Sequence, residues 1–460
     1  MAEAVSYIAE RIQNGEISAR SLVREALAKA QEQKELNAFI SLDPEGALAD
    51  AHRIDGAIAA GDIRGRLAGV PLAIKDNMNV QGLPTTAGTP GIDFVPSASA
   101  PIVSRLKSEG AVVIGKTNMH ELAFGVTSNN EAFGTVHNPI DPSSIPGGSS
   151  GGTAAAIAAG IVPAGLGTDT AGSVRVPAAL TGLAGFRPTT SRVNQAGIVP
   201  SVPTFDVAGP LARTVADVAL LYAVMTGQPE ARQSSLNGVR IGLPKSYFEN
   251  LSPAVSDALE PALRQIERAG AVLKDVDIEP ISTASFEVGF PIGFHEMKTA
   301  MTAFLAQYQP ESSLERIVER IAGKDVKEVY CNAVLGDGAP SDADYKAAIR
   351  RMADVRRDYL EMFKAHQLDI IAFPTTPLEA PPIAGSDETV LLNGEAVPTL
   401  PTFMRNVAST GVCQAPGLTL PLNKTGGHVL PVGLEIDGRP GGDVTLLGIG
   451  IGIEDLLARA

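Results

Sequence analysis

Two glycine-flanked serine sites and one lysine are the residues of this 460-residue chain best suited to chemistry. Ser149 and Ser150 stand between two pairs of glycines, and Ser173 directly follows a glycine. Lys75 closes the apolar run 70–74. A serine hydroxyl is a poor nucleophile by itself and needs a neighbouring base. These residue types therefore indicate a candidate serine nucleophile together with candidate activating groups.

Both serine sites lie in the stretch 146–177, where an alanine-rich segment that predicts a buried helix separates them. A glycine-rich loop that opens a helix presents free backbone N–H groups, which attract negative charge. The second loop contains Gly165, Gly167 and Gly172, so we expect its backbone to approach a ligand closely. The bound charge could be a fixed phosphate or a transient oxyanion.

The phosphate alternative has weak support. The loop 147–152 lacks the Lys-Ser or Lys-Thr pair of a P-loop. Gly165 and Gly167 begin a dinucleotide-binding pattern, but Thr170 occupies the position of its third glycine. In a chain with 47 glycines such a fragment carries little weight. The net charge of −14 and the lack of a basic stripe also argue against nucleic acid as a partner.

A Ser-His-Asp hydrolase is also disfavoured, and Lys75 is the better candidate base. None of the six histidines lies in a recognisable triad context, and residues 171–175 depart from the Gly-x-Ser-x-Gly elbow. Burial at the end of an apolar strand lowers the pKa of a lysine. To act near neutrality, that pKa must fall from about 10.4 to roughly 7–8. The alternative is an ordinary exposed lysine at a strand end.

These motifs together resemble the amidase signature family. The resemblance rests on Lys75, on the loop 147–152 and on residues 167–175, which read Gly-Thr-Asp-Thr-Ala-Gly-Ser-Val-Arg. It is strong over 67–218, the expected catalytic core, and weaker over nearly the whole chain. It implies that Ser173 is the acyl nucleophile, Ser149 a relay serine in a cis peptide bond, and Lys75 the base. It implies no metal and no cofactor.

The resemblance also assigns supporting roles. It places an oxyanion hole on the backbone N–H groups of four consecutive residues, Thr170, Ala171, Gly172 and Ser173. Asp169 and Arg175 are expected to pair and fix this loop, and Ser150 to hydrogen-bond near Lys75, although simple loop caps would fit these residues nearly as well. Many members have glycine where this chain has Ala171, which would be strained there if the position needs a positive φ.

The run 115–125 with its continuation 126–130 resembles the indoleacetamide and mandelamide hydrolases and related aryl-amide amidases of bacteria. This implies hydrolysis of a small aryl or arylalkyl carboxamide to an acid and ammonia or an amine. It also implies that Ala123, Phe124 and Gly125 lie near the substrate amide. Two alternatives stay open: the amidase subunit of a tRNA-dependent amidotransferase, which releases ammonia from glutamine, and a catalytically inactive binding homologue. Family resemblance further suggests a homodimer.

Alternating apolar strands and amphipathic helices predict one α/β domain over residues 1–460. Continuous apolar strands indicate a mixed, twisted sheet covered by helices on both faces. The segment 282–367 is helical in pattern and is expected to form part of the substrate pocket or a lid. Helices are predicted over 18–33, 43–60, 101–109, 214–226 and 252–270, and strands over 37–42, 67–74, 111–114, 239–243, 271–278, 368–373, 418–422 and 429–436.

The remaining features indicate a cytoplasmic protein. The two cysteines, Cys331 and Cys413, form no disulfide framework and fit a reducing compartment. The N-terminus lacks a basic segment followed by an apolar core, so no signal peptide is expected. No stretch of roughly 18 apolar residues suggests a membrane span.

Overall fold

The computed structural model describes residues 4–62, 65–422 and 430–459. The first residue of the strand predicted over 429–436 lies outside these ranges. The helices are α1 Val5–Gln13, α2 Ala19–Glu32, α3 Pro44–Ala59, α4 Pro101–Ser108, α5 Gly151–Ala158, α6 Arg175–Thr181, α7 Val215–Thr226, α8 Pro253–Arg268, α9 Glu279–Tyr308, α10 Leu314–Arg320, α11 Lys324–Val329, α12 Asp342–Ala365, α13 Thr399–Met404, α14 Ala408–Val412 and α15 Asp443–Ala458. The strands are β1 Phe39–Leu42, β2 Pro71–Lys75, β3 Val112–Thr117, β4 Ala164–Asp169, β5 Ala184–Arg187, β6 Val207–Ala212, β7 Arg240–Pro244, β8 Val272–Val276, β9 Ile370–Pro374, β10 Thr389–Leu392, β11 Glu395–Pro398, β12 Gly417–Pro421 and β13 Gly433–Asp437.

Several of the predicted helices begin at a side-chain cap, as their sequences indicate. The side chain of Ser18 accepts a hydrogen bond from the N–H of Ser21 at the start of α2. Asp43 caps α3 in the same way, and Thr214 caps α7. A side-chain oxygen at this position pairs with one of the N–H groups that the first helical turn leaves free.

Within the described residues, one 11-stranded sheet runs in the order β1-β3-β2-β4-β6-β5-β12-β13-β9-β7-β8. It is mixed: β2 runs parallel to β3 and β4, whereas β4 pairs antiparallel with β6. Strands from both halves of the chain join where β5 pairs with β12. The prediction of one large α/β domain with a mixed sheet flanked by helices is therefore confirmed.

One part of the predicted loop structure is wrong. Residues 164–169 were expected in a glycine-rich loop but form the buried central strand β4. The glycine content reflects close packing, because a Cβ atom on Gly167 would lie 2.5 Å from Ser150 Oγ. The strands β5 and β6 were not predicted. Helix α5 packs against β4, and this packing brings the two serine loops together.

The helical pattern of 282–367 is confirmed by α9 to α12. Helix α12 packs into the core, since its Met352, Tyr359 and Phe363 are buried in an apolar cluster with residues of α9. At its N-terminal end α12 is also held by Tyr345, whose hydroxyl donates to Glu296 of α9 at 3.0 Å.

Candidate active site

The parallel pairing of β2 and β4 brings their carboxyl ends to one edge of the sheet. Ala73 lies opposite Gly165 and Ile74 opposite Leu166, so Lys75, the last residue of β2, ends next to the end of β4. Ligands of open α/β sheets commonly bind at the carboxyl ends of the strands.

Lys75 contacts both serine-bearing regions from a fully buried position. Its Nζ donates to Ser149 Oγ at 2.7 Å and to Thr168 Oγ1 at 2.9 Å. Asn77 Nδ2 donates to the same Thr168 hydroxyl at 3.0 Å. A lysine is thus held at hydrogen-bond distance from a serine that lies 74 residues later in the chain.

Burial lowers the pKa of Lys75 from 10.5 to about 7, because the charged ammonium is removed from water. The negative charges of Asp169 and Asp206 act in the opposite direction, and burial outweighs them. A lysine with this pKa is partly neutral at physiological pH and can accept a proton.

Ser149 is buried and follows a cis peptide bond to Gly148. Its carbonyl oxygen accepts the N–H of His120 at 3.1 Å. The next residue, Ser150, donates its N–H to the carbonyl of Ser173 at 3.2 Å, which ties the two serine loops to each other. The Ser150 hydroxyl hydrogen-bonds to the backbone of Thr168 and therefore lies near Lys75. The group that Lys75 contacts directly is the Thr168 hydroxyl.

Asp169 organises the turn that carries Ser173. Its carboxylate accepts the N–H groups of Gly172 at 2.9 Å and Val174 at 3.1 Å. Arg175 Nε donates to the same carboxylate at 3.0 Å, and this ion pair is completely buried. Burial by itself would raise the pKa of Asp169, but the charges of Arg175 and Arg187 outweigh burial and hold that pKa below its ordinary value.

The backbone N–H groups around Ser173 differ from the expected set of four in one respect. The N–H of Gly172 is bonded to Asp169, so this residue shapes the turn instead of facing a ligand. Gly172 has a φ of 124°, and a Cβ there would lie 2.6 Å from Val407 Cγ2, which makes glycine necessary. In the part of the chain that the structure describes, Thr170, Ala171 and Ser173 have no acceptor for their N–H groups. Ala171 does not adopt a positive φ.

A layer of buried charges lies behind this turn. Arg175 also donates to Glu435 Oε1 at 3.0 Å, and Arg187 contacts the Asp169 carboxylate at 3.3 Å. Burial raises the pKa of Glu435 and of its neighbour Asp437, and the adjacent Glu435 charge raises that of Asp437 further. Since a buried charge is costly unless it is paired, this layer fixes the position of the Ser173 turn.

Ser173 opens into an apolar cavity of about 100 Å³. The wall contains Ala123, Phe124 and Gly125, the residues expected near the substrate amide. Much of the remaining wall comes from one face of α9, within the segment 282–367, and from α13 and α14. Across the described residues, no charged side chain lines the cavity.

The loop that bears Ala123 is held at both ends. His120 Nδ1 accepts the N–H of Ser128 at 3.2 Å, and its Nε2 contacts Asp325 Oδ2 at 3.1 Å. Glu121 accepts the N–H of Gly323 at 2.7 Å. The loop is therefore attached to the start of α11.

Several residues of the site were missed from sequence. Thr168 and Asn77 both bond within the Lys75 cluster, and Arg187 reaches Asp169 from β5. Asn77 stands two residues after Lys75, and Thr168 stands beside Asp169, so both lie within the motifs that identified the site. The aromatic face of α9 carries a signal too, since Phe286, Phe290 and Phe294 recur every four residues.

The described residues contain neither a metal-binding cluster nor a membrane-spanning helix. No three His, Cys, Asp or Glu side chains among them group closely enough to hold a metal ion. None of their helices combines the length and the apolar character needed to span a bilayer.

Comparisons with known proteins agree with this geometry. The model of the Amidase family matches residues 21–447. A mandelamide hydrolase of Pseudomonas putida is 37% identical, with 97% of this chain and 90% of the relative covered. An indoleacetamide hydrolase of Agrobacterium vitis is 39% identical, with 97% and 95% covered. A glutamyl-tRNA(Gln) amidotransferase component of Roseiflexus is 38% identical, with 96% and 93% covered.

The solved structures agree as well. The X-ray structure of a peptide amidase from Stenotrophomonas maltophilia superposes with a TM-score of 0.83 at 28% identity, covering 99% of this chain and 97% of that one. The chain belongs to the amidase family, and it is an amide hydrolase.

Proposed function

We propose that this amidase uses Ser173 as the acyl nucleophile, Ser149 as the proton relay and Lys75 as the general base. The observation that carries the proposal is the 2.7 Å hydrogen bond from Lys75 Nζ to Ser149 Oγ, combined with a Lys75 pKa of about 7. A base with a pKa near the working pH is the most effective in general catalysis.

The proton path follows from this order. Neutral Lys75 takes the proton of Ser149, and Ser149 takes the proton of Ser173 as Ser173 Oγ attacks the amide carbon. The proton then returns by the same path to the leaving nitrogen, and the C–N bond breaks to give an acyl-enzyme and free ammonia or amine. A water molecule, activated by the reverse transfer, hydrolyses the ester to the carboxylic acid.

The developing oxyanion is bound by backbone N–H groups of Thr170, Ala171 and Ser173, which have no other acceptor in the described residues. Removing one donor of this kind typically costs roughly 3–4 kcal/mol of barrier. Gly172 contributes indirectly, because its bond to Asp169 sets the direction of its neighbours.

The substrate is a small aryl or arylalkyl carboxamide. The relatives named above include hydrolases of mandelamide and indoleacetamide, and the cavity beside Ser173 is apolar and lined by several phenylalanines. The apolar wall favours an aromatic ring over a peptide chain, because the polar backbone groups of a peptide would be buried there without partners.

The same cavity argues against the amidotransferase alternative. Glutamine carries an ammonium and a carboxylate, and burying either without a partner is costly. The described wall has no charged side chain to pair with them. The inactive-homologue alternative is disfavoured by the intact contact between Lys75 and Ser149.

Four further expectations remain part of the proposal. Residues 67–218 supply the catalytic core, and 282–367 supply part of the pocket wall. The protein works in the cytoplasm, in line with two free cysteines, of which Cys331 is exposed and Cys413 buried. A homodimer is retained as the expected assembly.

The test is a panel of amides assayed for ammonia release: phenylacetamide, mandelamide, acetamide and glutamine. We expect the two aryl substrates to have the highest kcat/KM and glutamine to be inert. Preferred hydrolysis of glutamine would favour the amidotransferase function instead. Failure of the whole panel would leave the inactive homologue as the better account.

A further inference from the structure

Helix α9 carries two glycines where it faces the cavity beside Ser173. Gly289 and Gly293 both line that cavity, and they lie one helical turn apart in the interior of the helix. Glycine inside a helix is less favourable than alanine because it loses more backbone entropy on folding. Two glycines at this spacing therefore need a physical reason.

Neither a positive φ nor close packing requires glycine at these positions. Neither residue has a positive φ. A Cβ atom on Gly289 would find its nearest neighbour, Val412 Cγ2, at 3.9 Å, and one on Gly293 would find Val202 Cγ2 at 3.5 Å. Both are ordinary van der Waals distances, so the fold itself accommodates alanine at each site.

Helix α15, by contrast, contains a glycine that close packing requires. A Cβ atom on its Gly448 would lie 2.7 Å from the backbone oxygen of Arg232, so that glycine is required by close packing. The comparison indicates that the α9 glycines serve the cavity and not the packing of the helix.

The glycines alternate with an aromatic wall on the same helix face. Phe286, Phe290 and Phe294 recur every four residues, with successive ring centroids 6.3 Å and 5.6 Å apart. Each glycine lies three residues after one of these rings. The face therefore presents aromatic surface beside two gaps where side chains are missing.

We propose that Gly289 and Gly293 are specificity-determining residues, whose missing side chains leave room for the ring of the substrate's acyl group. This inference rests on the proposed function at Ser173. A methyl group on either residue would narrow a cavity of about 100 Å³ without disturbing the fold. A single methylene in an apolar pocket changes discrimination by roughly 10–200-fold.

The test compares Gly289→Ala and Gly293→Ala with wild type on a bicyclic amide, 1-naphthylacetamide, and a small amide, propionamide. The ratio of kcat/KM for the bicyclic over the small amide is expected to fall roughly 10–200-fold in each variant. Gly56→Ala, on the exposed side of α3 with nothing within 4 Å, is the matched control and should leave the ratio unchanged.

Melting temperatures separate a pocket effect from damage to the fold. All three variants should melt at or up to about 1 °C above wild type, because alanine favours the helix and a chain of this length has a large unfolding entropy. An unchanged ratio, or melting several degrees lower in the α9 variants, would overturn the inference while leaving the amidase function intact. A wild-type protein that hydrolyses neither amide would instead contradict the proposed function.

Discussion

Replacing Lys75 by methionine should change both activity and the pH dependence of stability. The folded-state pKa of about 7 lies below the ordinary value of 10.5. Each pKa unit corresponds to 1.36 kcal/mol, so keeping this lysine buried costs about 5 kcal/mol at low pH. Because the unfolded chain binds more protons between pH 7 and 10.5, wild-type stability rises with pH in that window.

The magnitude follows from these two pKa values. The free-energy cost of burying Lys75 reaches its maximum of about 5 kcal/mol well below pH 7. It is about 4 kcal/mol at pH 7 and falls to about 2 kcal/mol at pH 9. Methionine carries no charge and escapes this cost, but it leaves the Ser149 hydroxyl without its donor, a loss of about 1–3 kcal/mol that does not depend on pH. The Thr168 hydroxyl keeps Asn77 as a donor. The change between the two pH values therefore isolates the protonation of Lys75.

The assay is the melting temperature of wild type and Lys75→Met at pH 7 and pH 9. An unfolding entropy of ~2.1 cal/mol/K per residue makes 1 kcal/mol worth about 1 °C in this chain. The difference, variant minus wild type, should fall by about 2 °C from pH 7 to pH 9. The exposed Lys34→Met is the control and should show no such change.

The same variant should lose turnover, since a general base contributes roughly 10²–10⁴-fold. A Lys75→Met protein with a melting difference that is equal at both pH values would refute the assignment of a neutral, buried lysine. Near-wild-type kcat/KM would refute its role as the base.

Two further predictions concern the groups that contact Lys75 and the turn that carries Ser173. Thr168→Val removes an acceptor for Lys75 Nζ, so kcat/KM should fall roughly 10–100-fold and the midpoint of its rise with pH should move below 7; an unchanged pH–rate profile would contradict this. Arg175→Met leaves the carboxylates of Asp169 and Glu435 buried without this partner, so the melting temperature should drop by about 3–5 °C. The exposed Arg351→Met is its control, and equal melting of the two variants would argue against a structural role for the buried charges.

Local sequence signals predicted the helices that begin at a side-chain cap, whereas α1, α6, α13, α14 and α15 were not predicted. The caps at Ser18, Asp43 and Thr214 fix helix starts through contacts within three residues, which a sequence displays directly. The strand β4 was missed because its glycines look like a loop, and only its pairing with β2 and β6 shows that they are packed in a sheet.

The site residues also divide into those with a local sequence signal and those whose contacts depend on the fold. Lys75, Ser149 and Ser173 are recognisable from their motifs, although 74 residues separate the first two. The contact of Thr168 with Lys75 depends on how β2 and β4 align, so no local pattern reveals it. The use of the Gly172 N–H by Asp169 likewise depends on the shape of the turn.

The central claim is that Ser173 carries the acyl group. Wild-type protein treated with a fluorophosphonate should gain one adduct by intact mass, and peptide mapping should place it on Ser173. Ser173→Ala should lose both the adduct and turnover while melting like wild type, and the exposed Ser256→Ala should keep both. An adduct on another residue, or a Ser173→Ala protein that still hydrolyses amides, would contradict the claim.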